Sequence, residues 1–592
     1  MATNELDDVI QRWRMTKEED LKPADHELFL HIGSTCIAQG DSAQLLDFIK
    51  EEKNQDILKS MGCGLLRPLI KNALEKEKDS VHCEAIISHL VQICNTNDLL
   101  NILLRELENA DIDAIADTLI LLMQYLPLVL SRLGDTKAPS LGLALDSLQK
   151  QISKLPVPYL HKQEQEDKYG LCRCCTALLT FVQPFVQEVK SQDTKSPVTT
   201  SYDERLRTVL LKFCMESLRQ PLLEAQLDTE ANTTENSPLW NFATEIIAIL
   251  SAIQEPLPKL LFYHPLRGKE DMGVVKRDDS HPTESRACLA YLLFVHLIAM
   301  EVFPTVFSPV FVLQCNMEYI NILLSRKDES WILKGLDLYV KSLERVVDNS
   351  LPVQLLELKG FYSVSQILVK IMVECPFEHL RLKALVVFQL FIEKLNGEAK
   401  HKFFRCIMKT SHHAGVESVI LKNIKNQVEN SKKSGHRDSW FEGTLLISLL
   451  RETVNLPQGP ETDLLHGMDR VMESLNILRY LLINERQIST GIWTELCDIA
   501  GNYIKTLRVC LIMSKSYYGS ELKRLHEEKK IKAKEFKEAL RENNVHDMIV
   551  KNERLGGMQP EAQDKVLQCA LVTYDLMESL VIRLEEIIEQ KD

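Results

Sequence analysis

Glycine and proline are scarce in this sequence, with 22 and 21 copies among 592 residues. A protein of many short strands needs turn-forming residues between the strands, so this scarcity argues against a β-sandwich or a β-barrel. Hydrophobic residues make up 45% of the chain and charged residues 26%, which is typical of a folded globular protein rather than a disordered one. The composition therefore favours long helices joined by short loops.

The chain also lacks an excess of positive charge. The formal net charge is -14 and no long basic arm is present. Proteins that bind DNA or RNA draw much of their affinity from lysines and arginines that neutralise phosphates. Nucleic acid is therefore not an expected partner.

Export and membrane signals are missing too. The opening MATNELDDVIQRWRM carries three acidic residues before any apolar run, unlike a secretory or transit peptide. The most apolar stretch, ACLAYLLFVHLIAM at 287–300, is 14 residues long with His296 inside it, whereas a spanning helix needs roughly 20. It is interpreted as a buried helix of a soluble protein, and a cytoplasmic location is predicted.

Fifteen cysteines are scattered along the chain, many beside Leu, Ile or Val at helical spacing. In a protein without an export signal, such residues are expected to be reduced thiols in the core. The cluster CRCC at 172–175 has no second ligand pair at zinc-binding spacing. It is therefore also interpreted as a set of ordinary thiols.

Catalytic motifs are absent as well. The chain has no phosphate-binding GxxxxGK[ST] loop, no GxSxG elbow and no paired CxxC motifs. In HELFLH at 26–31, His26 and His31 are five positions apart, so about 140° separates them around a helix and they do not share a face. No enzymatic activity and no cofactor are predicted.

What the sequence does contain is a succession of helix-length amphipathic segments separated by short polar breaks. ALVVFQLFI at 384–392 has a single polar residue, Gln389. The longer segment that contains it, from His379 to Leu395, is too long for a strand and predicts a helix. A helix that is apolar on nearly every side is expected to be covered on more than one face, as in stacked helical hairpins.

The predicted fold is therefore all-α, a HEAT/armadillo-like helical-repeat solenoid in two parts. Polar, proline-marked stretches at 187–204 and 227–239 are interpreted as joints. They predict an N-terminal helical-repeat domain over residues 1–235 and a C-terminal HEAT-like domain over residues 236–592.

The segment SHHAGVESVILKNIKNQVEN at 411–430 predicts a helix with a buried stripe of Val416, Ile420, Ile424 and Val428. Asn423 and Gln427, which are four residues apart, fall at the edge of that stripe. Their amides could cap an adjacent loop or face a partner protein, and His412 and His413 are open to the same two interpretations.

Several long stretches together resemble the glomulin family. They include LPVPY (155–159), YGLCRCC (169–175), FRCIMKTSHHAGVE (404–417) and ETDLLHGMDRVMESLNILRYLLI (461–483). The resemblance extends over nearly the whole chain and does not depend on one short signature.

That resemblance implies an all-helical HEAT-like protein that inhibits cullin-RING ubiquitin ligases. Its C-terminal part is expected to bind the RING-box subunit, and through it cullin, and to mask the surface used by the ubiquitin-conjugating enzyme. The predicted contact residues are His412, His413, Lys422, Asn423, Lys425, Asn426 and Gln427.

The same resemblance implies links to a small immunophilin, to a receptor tyrosine kinase and to vascular development. The residues alone leave an alternative function open, namely a general helical-repeat scaffold or adaptor in signalling or trafficking.

Overall fold

The structure of the protein is a computed structural model. It describes residues 23–39, 42–74, 80–111, 114–193, 201–227, 237–266, 282–433, 439–487, 492–541 and 560–590. Within these ranges the regular structure is helical, and the only β-type pairing is an isolated bridge between Leu351 and Leu395. The all-α prediction is confirmed. The chain forms two compact units, residues 1–345 and residues 346–592.

The α-helices described in the first unit are α1 (Pro23–Ala38), α2 (Ser42–Lys50), α3 (Gln55–Met61), α4 (Leu66–Leu74), α5 (Ser80–Ile93), α6 (Thr96–Glu108), α7 (Ile115–Ser131), α8 (Lys137–Ile152), α9 (His161–Glu166), α10 (Leu171–Asp193), α11 (Ser201–Arg219), α12 (Pro238–Ala252), α13 (Leu257–Leu266), α14 (Thr283–Phe294), α15 (Pro309–Leu324) and α16 (Glu329–Glu344). Short 3-10 turns lie at Glu52–Asn54, Gly62–Leu65, Gly134–Thr136 and Met300–Val302.

Neighbouring helices of this unit pack in pairs and then onto the next pair. For example, α15 packs on α16, α7 on α10, and α8 on α11. Contacts between successive helical pairs are the arrangement of a helical-repeat protein, in which each repeat buries its apolar face against its neighbours. The helical-repeat part of the fold prediction is confirmed.

The apolar stretch at 287–300 is divided between a helix and a turn. Every residue of α14 from Ser285 to Phe294 is buried, against α11, α15 and α16. Beyond the helix, the His296 ring packs edge-on against Trp240 and Tyr291, at 4.9 and 4.8 Å between ring centroids. The prediction of a buried helix is confirmed as far as Phe294. Among the described residues, no helix is both long and apolar enough to cross a membrane.

The α-helices described in the second unit are α17 (Lys359–Glu374), α18 (Glu378–Lys394), α19 (Gly397–Thr410), α20 (Ala414–Lys433), α21 (Gly443–Thr453), α22 (Met468–Gln487), α23 (Trp493–Arg541) and α24 (Pro560–Glu589). Short 3-10 turns lie at Val353–Glu357, Ser439–Phe441 and Gly459–Glu461.

The second unit is built from the same kind of contact. α17 packs on α18, α19 on α20, and α23 on α24. α20 also packs on α22, and α22 on α24, so the even-numbered helices α20, α22 and α24 follow one another in a row.

The segment 384–392 lies in α18, which confirms the predicted helix. Ala384, Val387, Phe388, Phe391 and Ile392 are buried. The helix packs on α17, and its Phe388 ring lies against Phe403 of α19, in line with the predicted cover on more than one face. Val386 and Leu382 nevertheless remain 63% and 58% exposed. These two side chains are one turn apart, so they form an uncovered apolar edge.

The predicted division between residues 235 and 236 lies in 228–236, outside the described residues, and stays a prediction. At the other predicted joint, 187–204, the structure differs from the interpretation. α10 continues to Asp193 and α11 begins at Ser201, so only 194–200 is left between them. Residues 187–193 extend the apolar face of α10, because Val189 is buried. The polar composition of the whole stretch 187–204 hid this continuation of the helix.

The cysteines are free thiols, and most are buried, including Cys36 and Cys510. The CRCC cluster is buried too, and desolvation raises the pKa of Cys172 and of Cys174 to about 12. The interpretation as core thiols is confirmed for these residues. Cys63, Cys406 and Cys497 are half-buried, and Cys569 is exposed.

A matched pair of substitutions on α18 tests the packing of this helix. Phe388→Ala removes a fully buried ring that lies 5.8 Å from the Phe403 ring, and it is expected to lower the free energy of unfolding by about 3–5 kcal/mol. Val386→Ala, two residues away, should change it by less than about 0.5 kcal/mol. Urea unfolding followed by circular dichroism measures both, and equal effects would contradict the packing described here.

Candidate partner-binding surface

The predicted contact residues lie on or just before α20. The stripe formed by Val416, Ile420, Ile424 and Val428 is buried, as its spacing predicted, because α20 packs against both α19 and α22. The predicted contact residues therefore lie on the remaining faces of a helix that is held on two sides.

His412 and His413 are exposed and precede the first turn of α20. The His413 ring lies close to Gly415, where an added Cβ would be 3.1 Å from a ring carbon. A side chain at position 415 would push that ring away, so the glycine allows His413 to fold back over the start of the helix.

Asn423 is buried and connects two helices. Its amide nitrogen donates to Gln389 Oε1 at 2.9 Å and to the Val419 carbonyl at 2.8 Å. The Gln389 amide nitrogen donates in return to Asn423 Oδ1 at 3.0 Å. Both N–H groups of the Asn423 amide are therefore used inside the protein. Asn423 contacts α18 directly, and it supports the surface from a buried position.

Gln427 is half-buried and accepts a hydrogen bond from Lys400 Nζ at 3.1 Å. The Lys400 ammonium, which is itself buried on α19, also donates to Asn349 Oδ1 at 2.5 Å. Gln427 thus connects α20 to the preceding helix and to the loop before Leu351. In the free protein, the amides of Asn423 and Gln427 therefore bond to neighbouring segments, which is the first of their two interpretations. Contact of these amides with a partner protein stays a prediction.

The lysines of α20 differ in their surroundings. Lys422 is exposed, whereas Lys425 is half-buried, with its ammonium 5.8 Å from the centroid of the Tyr480 ring on α22. An ammonium over an aromatic face is attracted by the ring quadrupole. Asn426, also half-buried, lies one turn from both Lys422 and Asn423.

A buried ion pair at the start of α20 was missed by sequence reasoning. Glu417 accepts from Arg470 Nη1 at 2.8 Å, and both side chains are less than 9% exposed. Arg470 also donates to Asn455 Oδ1 at 2.8 Å. An acid in the first turn of a helix is favoured by the helix dipole. This is the only feature of the local sequence that indicates a structural role for Glu417. The partner, on α22, cannot be identified from spacing.

Three adjoining helices therefore present one surface. Gln389 bonds to Asn423, so α18 lies beside α20, and Lys425 lies over Tyr480, so α20 lies beside α22. Helical spacing puts further side chains on the same sides of these helices. We call this surface the α18–α20–α22 face, and its outward side chains are Leu382, Val386, Lys422, Lys425, Asn426, Tyr480 and Ile483.

This face combines uncovered apolar groups with cations. Leu382, Val386 and Ile483 are 58%, 63% and 42% exposed, and Lys422 lies between the helices that carry them. Apolar anchors surrounded by polar groups are typical of protein-binding surfaces. Across the described ranges, no three His, Cys, Asp or Glu side chains are close enough to share a metal ion.

Comparison with known proteins gives one family and two close relatives. The profile of the family described as "Uncharacterised protein family, YAP/Alf4/glomulin" matches residues 1–556. Glomulin of Homo sapiens is 43% identical over 598 aligned residues, and glomulin of Mus musculus is 42% identical over 597. Each alignment covers 100% of this chain and 98% of the relative.

Among solved structures, a "Circular tandem repeat protein with novel repeat topology and enhanced subunit contact surfaces" aligns with 96% of this chain and 99% of its own. The sequence identity is 10% and the TM-score is 0.23.

The bond between Gln389 and Asn423 can be tested by truncating one partner. Gln389→Ala leaves the buried Asn423 amide without its partner on α18, and the free energy of unfolding is expected to fall by about 1–3 kcal/mol. The control is Gln366→Ala on α17, which removes an exposed amide that donates to Tyr362 Oη at 2.8 Å. Thermal unfolding of both variants is the measurement. A larger loss for the control would contradict the role given to Asn423.

Proposed function

The chain belongs to the YAP/Alf4/glomulin family, and on that premise we propose that it inhibits cullin-RING ubiquitin ligases without catalysing a reaction. Its C-terminal part binds the RING-box subunit, and through it cullin. The bound protein covers the surface that the ubiquitin-conjugating enzyme needs, so inhibition is steric. The observation that carries this proposal is the 43% identity to human glomulin along the full chain.

The α18–α20–α22 face is the proposed contact surface. Its helices have 17, 20 and 20 residues, which at 1.5 Å per residue makes them about 25–30 Å long. Three helices side by side, each about 10 Å wide, cover roughly 750–900 Å². A stable protein interface buries about 800 Å² on each partner. The face is therefore large enough to hold a small folded domain.

The polar bonds beneath the face support the same function. Gln389–Asn423, Lys400–Gln427 and Glu417–Arg470 fix α20 against its neighbours before any partner arrives. A preorganised surface loses little side-chain and backbone freedom on binding, which leaves more of the contact energy as affinity. In this proposal Leu382, Val386 and Ile483 supply apolar contact, and Lys422 supplies charge.

Masking requires only that two partners compete for one surface. The inhibitor raises the concentration of conjugating enzyme needed for half-maximal transfer, while saturating enzyme restores the full rate. We also propose a cytoplasmic location, because the protein would have to meet these ligases in the cytoplasm. A small immunophilin and a receptor tyrosine kinase are proposed as further partners on the strength of the family alone.

Ubiquitin transfer by a neddylated cullin-RING complex tests the proposal. Added protein should raise the half-maximal concentration of conjugating enzyme in proportion to the amount added, with an unchanged maximal rate. Val386→Glu puts a carboxylate inside the proposed interface, where it would be desolvated without a partner. The inhibition constant of this variant is expected to rise tenfold or more, which corresponds to about 1.4 kcal/mol.

The matched control is Val572→Glu on α24, where the valine is 68% exposed and lies outside the α18–α20–α22 face. This variant should inhibit as well as the unmodified protein. A fall in maximal rate that excess conjugating enzyme cannot reverse would contradict masking. Equal weakening by both substitutions would contradict the choice of face.

A further inference from the structure

A cleft in the first unit is large enough to hold a small molecule. Its walls come from α7, α9, α10 and the start of α12, and its volume is about 910 Å³. Sites that bind small molecules have volumes of roughly 300–1,000 Å³. The lining residues lie between positions 117 and 238, so the cleft belongs to a different unit from the α18–α20–α22 face.

The turn between α9 and α10 is held against α7. Asp167 ends α9 with a φ of 38°, and its carboxylate accepts from the backbone N–H groups of Cys172 and Arg173, at 2.9 and 3.0 Å. Gly170 has a φ of 75°, and a Cβ added there would lie 2.5 Å from the Ala116 Cβ on α7. Glycine therefore lets this turn approach α7 closely. The walls of the cleft are in place before a ligand arrives, which lowers the cost of binding.

Glu164 of α9 is a buried carboxylate that lines this cleft. Its side chain is only 6% exposed, and Oε1 accepts from the backbone N–H of Leu239, in the first turn of α12, at 2.8 Å. The second oxygen, Oε2, lies 3.7 Å from His161 Nδ1, which is too long for a hydrogen bond, and it accepts none from the residues that the structure describes. Because buried polar atoms are normally bonded, Oε2 is an acceptor open to a ligand.

The charges that line the cleft favour a cation. Three carboxylates line it, those of Asp117, Glu164 and Asp167, against one guanidinium, that of Arg173. Arg173 Nη1 lies 3.3 Å from Asp117 Oδ1, and Nε lies 3.5 Å from Asp167 Oδ2. The guanidinium is thus engaged by two of the carboxylates. His161 adds positive charge only when it is protonated. A cleft with an excess of one charge concentrates ligands of the opposite charge.

Apolar side chains form another part of the lining. Ile120 of α7, Ala177 of α10 and Pro238 of α12 line the same cleft. A hydrocarbon chain gains free energy in proportion to the area that it buries against such side chains. An inorganic cation gains nothing from them and loses its hydration. The lining therefore fits an organic cation whose charge lies at the end of a hydrocarbon chain.

We propose that this cleft binds an alkylammonium group, whose N–H donates to Glu164 Oε2 while its chain packs against the apolar side chains. A guanidinium fits less well, because it bonds a carboxylate through both oxygens, and Leu239 already uses Oε1. An ammonium is a compact charge that needs only one oxygen. The group is supplied either by a lysine side chain of a peptide or by a free amine.

Ligand-observed saturation-transfer NMR with the full-length protein measures this binding. The probes are n-hexylammonium, 1-hexanol and hexanoate, which share one chain and differ in the charge of the head group. n-Hexylammonium should saturate the protein with a dissociation constant of roughly 0.1–10 mM, as expected for so small a probe. The alcohol should bind at least about tenfold more weakly, and hexanoate should not bind. Equal binding of either control probe, or no saturation by the amine, would overturn the proposal.

Two substitutions separate the charge of the site from its space. Glu164→Gln keeps an oxygen for the Leu239 N–H but removes the charge, so it should weaken amine binding about tenfold or more and leave alcohol binding unchanged. Ala177→Phe fills part of the cleft and should weaken the binding of both probes. The matched control is Glu166→Gln on the same helix, because the Glu166 side chain is 59% exposed and does not line the cleft.

Circular dichroism confirms that each variant is folded before it is titrated. Glu166→Gln should bind the amine as the unmodified protein does. Unchanged amine binding by folded Glu164→Gln, or by folded Ala177→Phe, contradicts the proposed site, and so does an equal loss in Glu166→Gln.

A peptide probe, acetyl-AAKAA-amide, identifies the source of the ammonium group. If the peptide binds more tightly than n-hexylammonium and loses its affinity in Glu164→Gln, the ligand is a lysine side chain. If the peptide binds more weakly while n-hexylammonium still depends on Glu164, the ligand is a free amine. Peptide and amine binding that both persist in Glu164→Gln would overturn the proposal.

Discussion

The fold depends on each helix burying its apolar stripe against at least two neighbours. Isolated helices of 14 to 20 residues, such as α19 and α20, are marginal in water, and most of their stability in a protein comes from packing of an apolar face. α20 shows the constraint clearly, because Val416, Ile420, Ile424 and Val428 are all enclosed between α19 and α22. Where an apolar side chain on such a helix is left uncovered, another partner can use it.

Polar side chains determine how these helices are aligned. Apolar packing is tolerant of small slides, whereas a hydrogen bond or a buried ion pair requires specific atoms to meet. The amide pair Gln389–Asn423 fixes α18 against α20, and Glu417–Arg470 fixes α20 against α22. Breaking one partner of a buried ion pair leaves the other charge desolvated, which is strongly destabilising. The alignment of the α18–α20–α22 face thus follows from a few polar residues.

The helices and their buried stripes were predictable from the sequence because the repeat of apolar residues identifies the face that must be covered. The same pattern could not show that Val386 and Leu382 of α18 are exposed, because periodicity cannot tell which neighbour covers which face. Asn423 was correctly located at the edge of a stripe. Its partner Gln389, 34 residues earlier, is set by how helices stack and not by local spacing. Arg470 was missed for the same reason.

The central claim, that the RING-box subunit covers the α18–α20–α22 face, is tested most directly by lysine reactivity. The full-length protein would be acetylated for a short, fixed time with and without the RING-box–cullin complex, and each lysine quantified by mass spectrometry. Lys422 should react at least fivefold more slowly in the complex, while Lys530 on α23, which is exposed, should react at the same rate. Unchanged reactivity of Lys422 in a complex that has formed would contradict the claim.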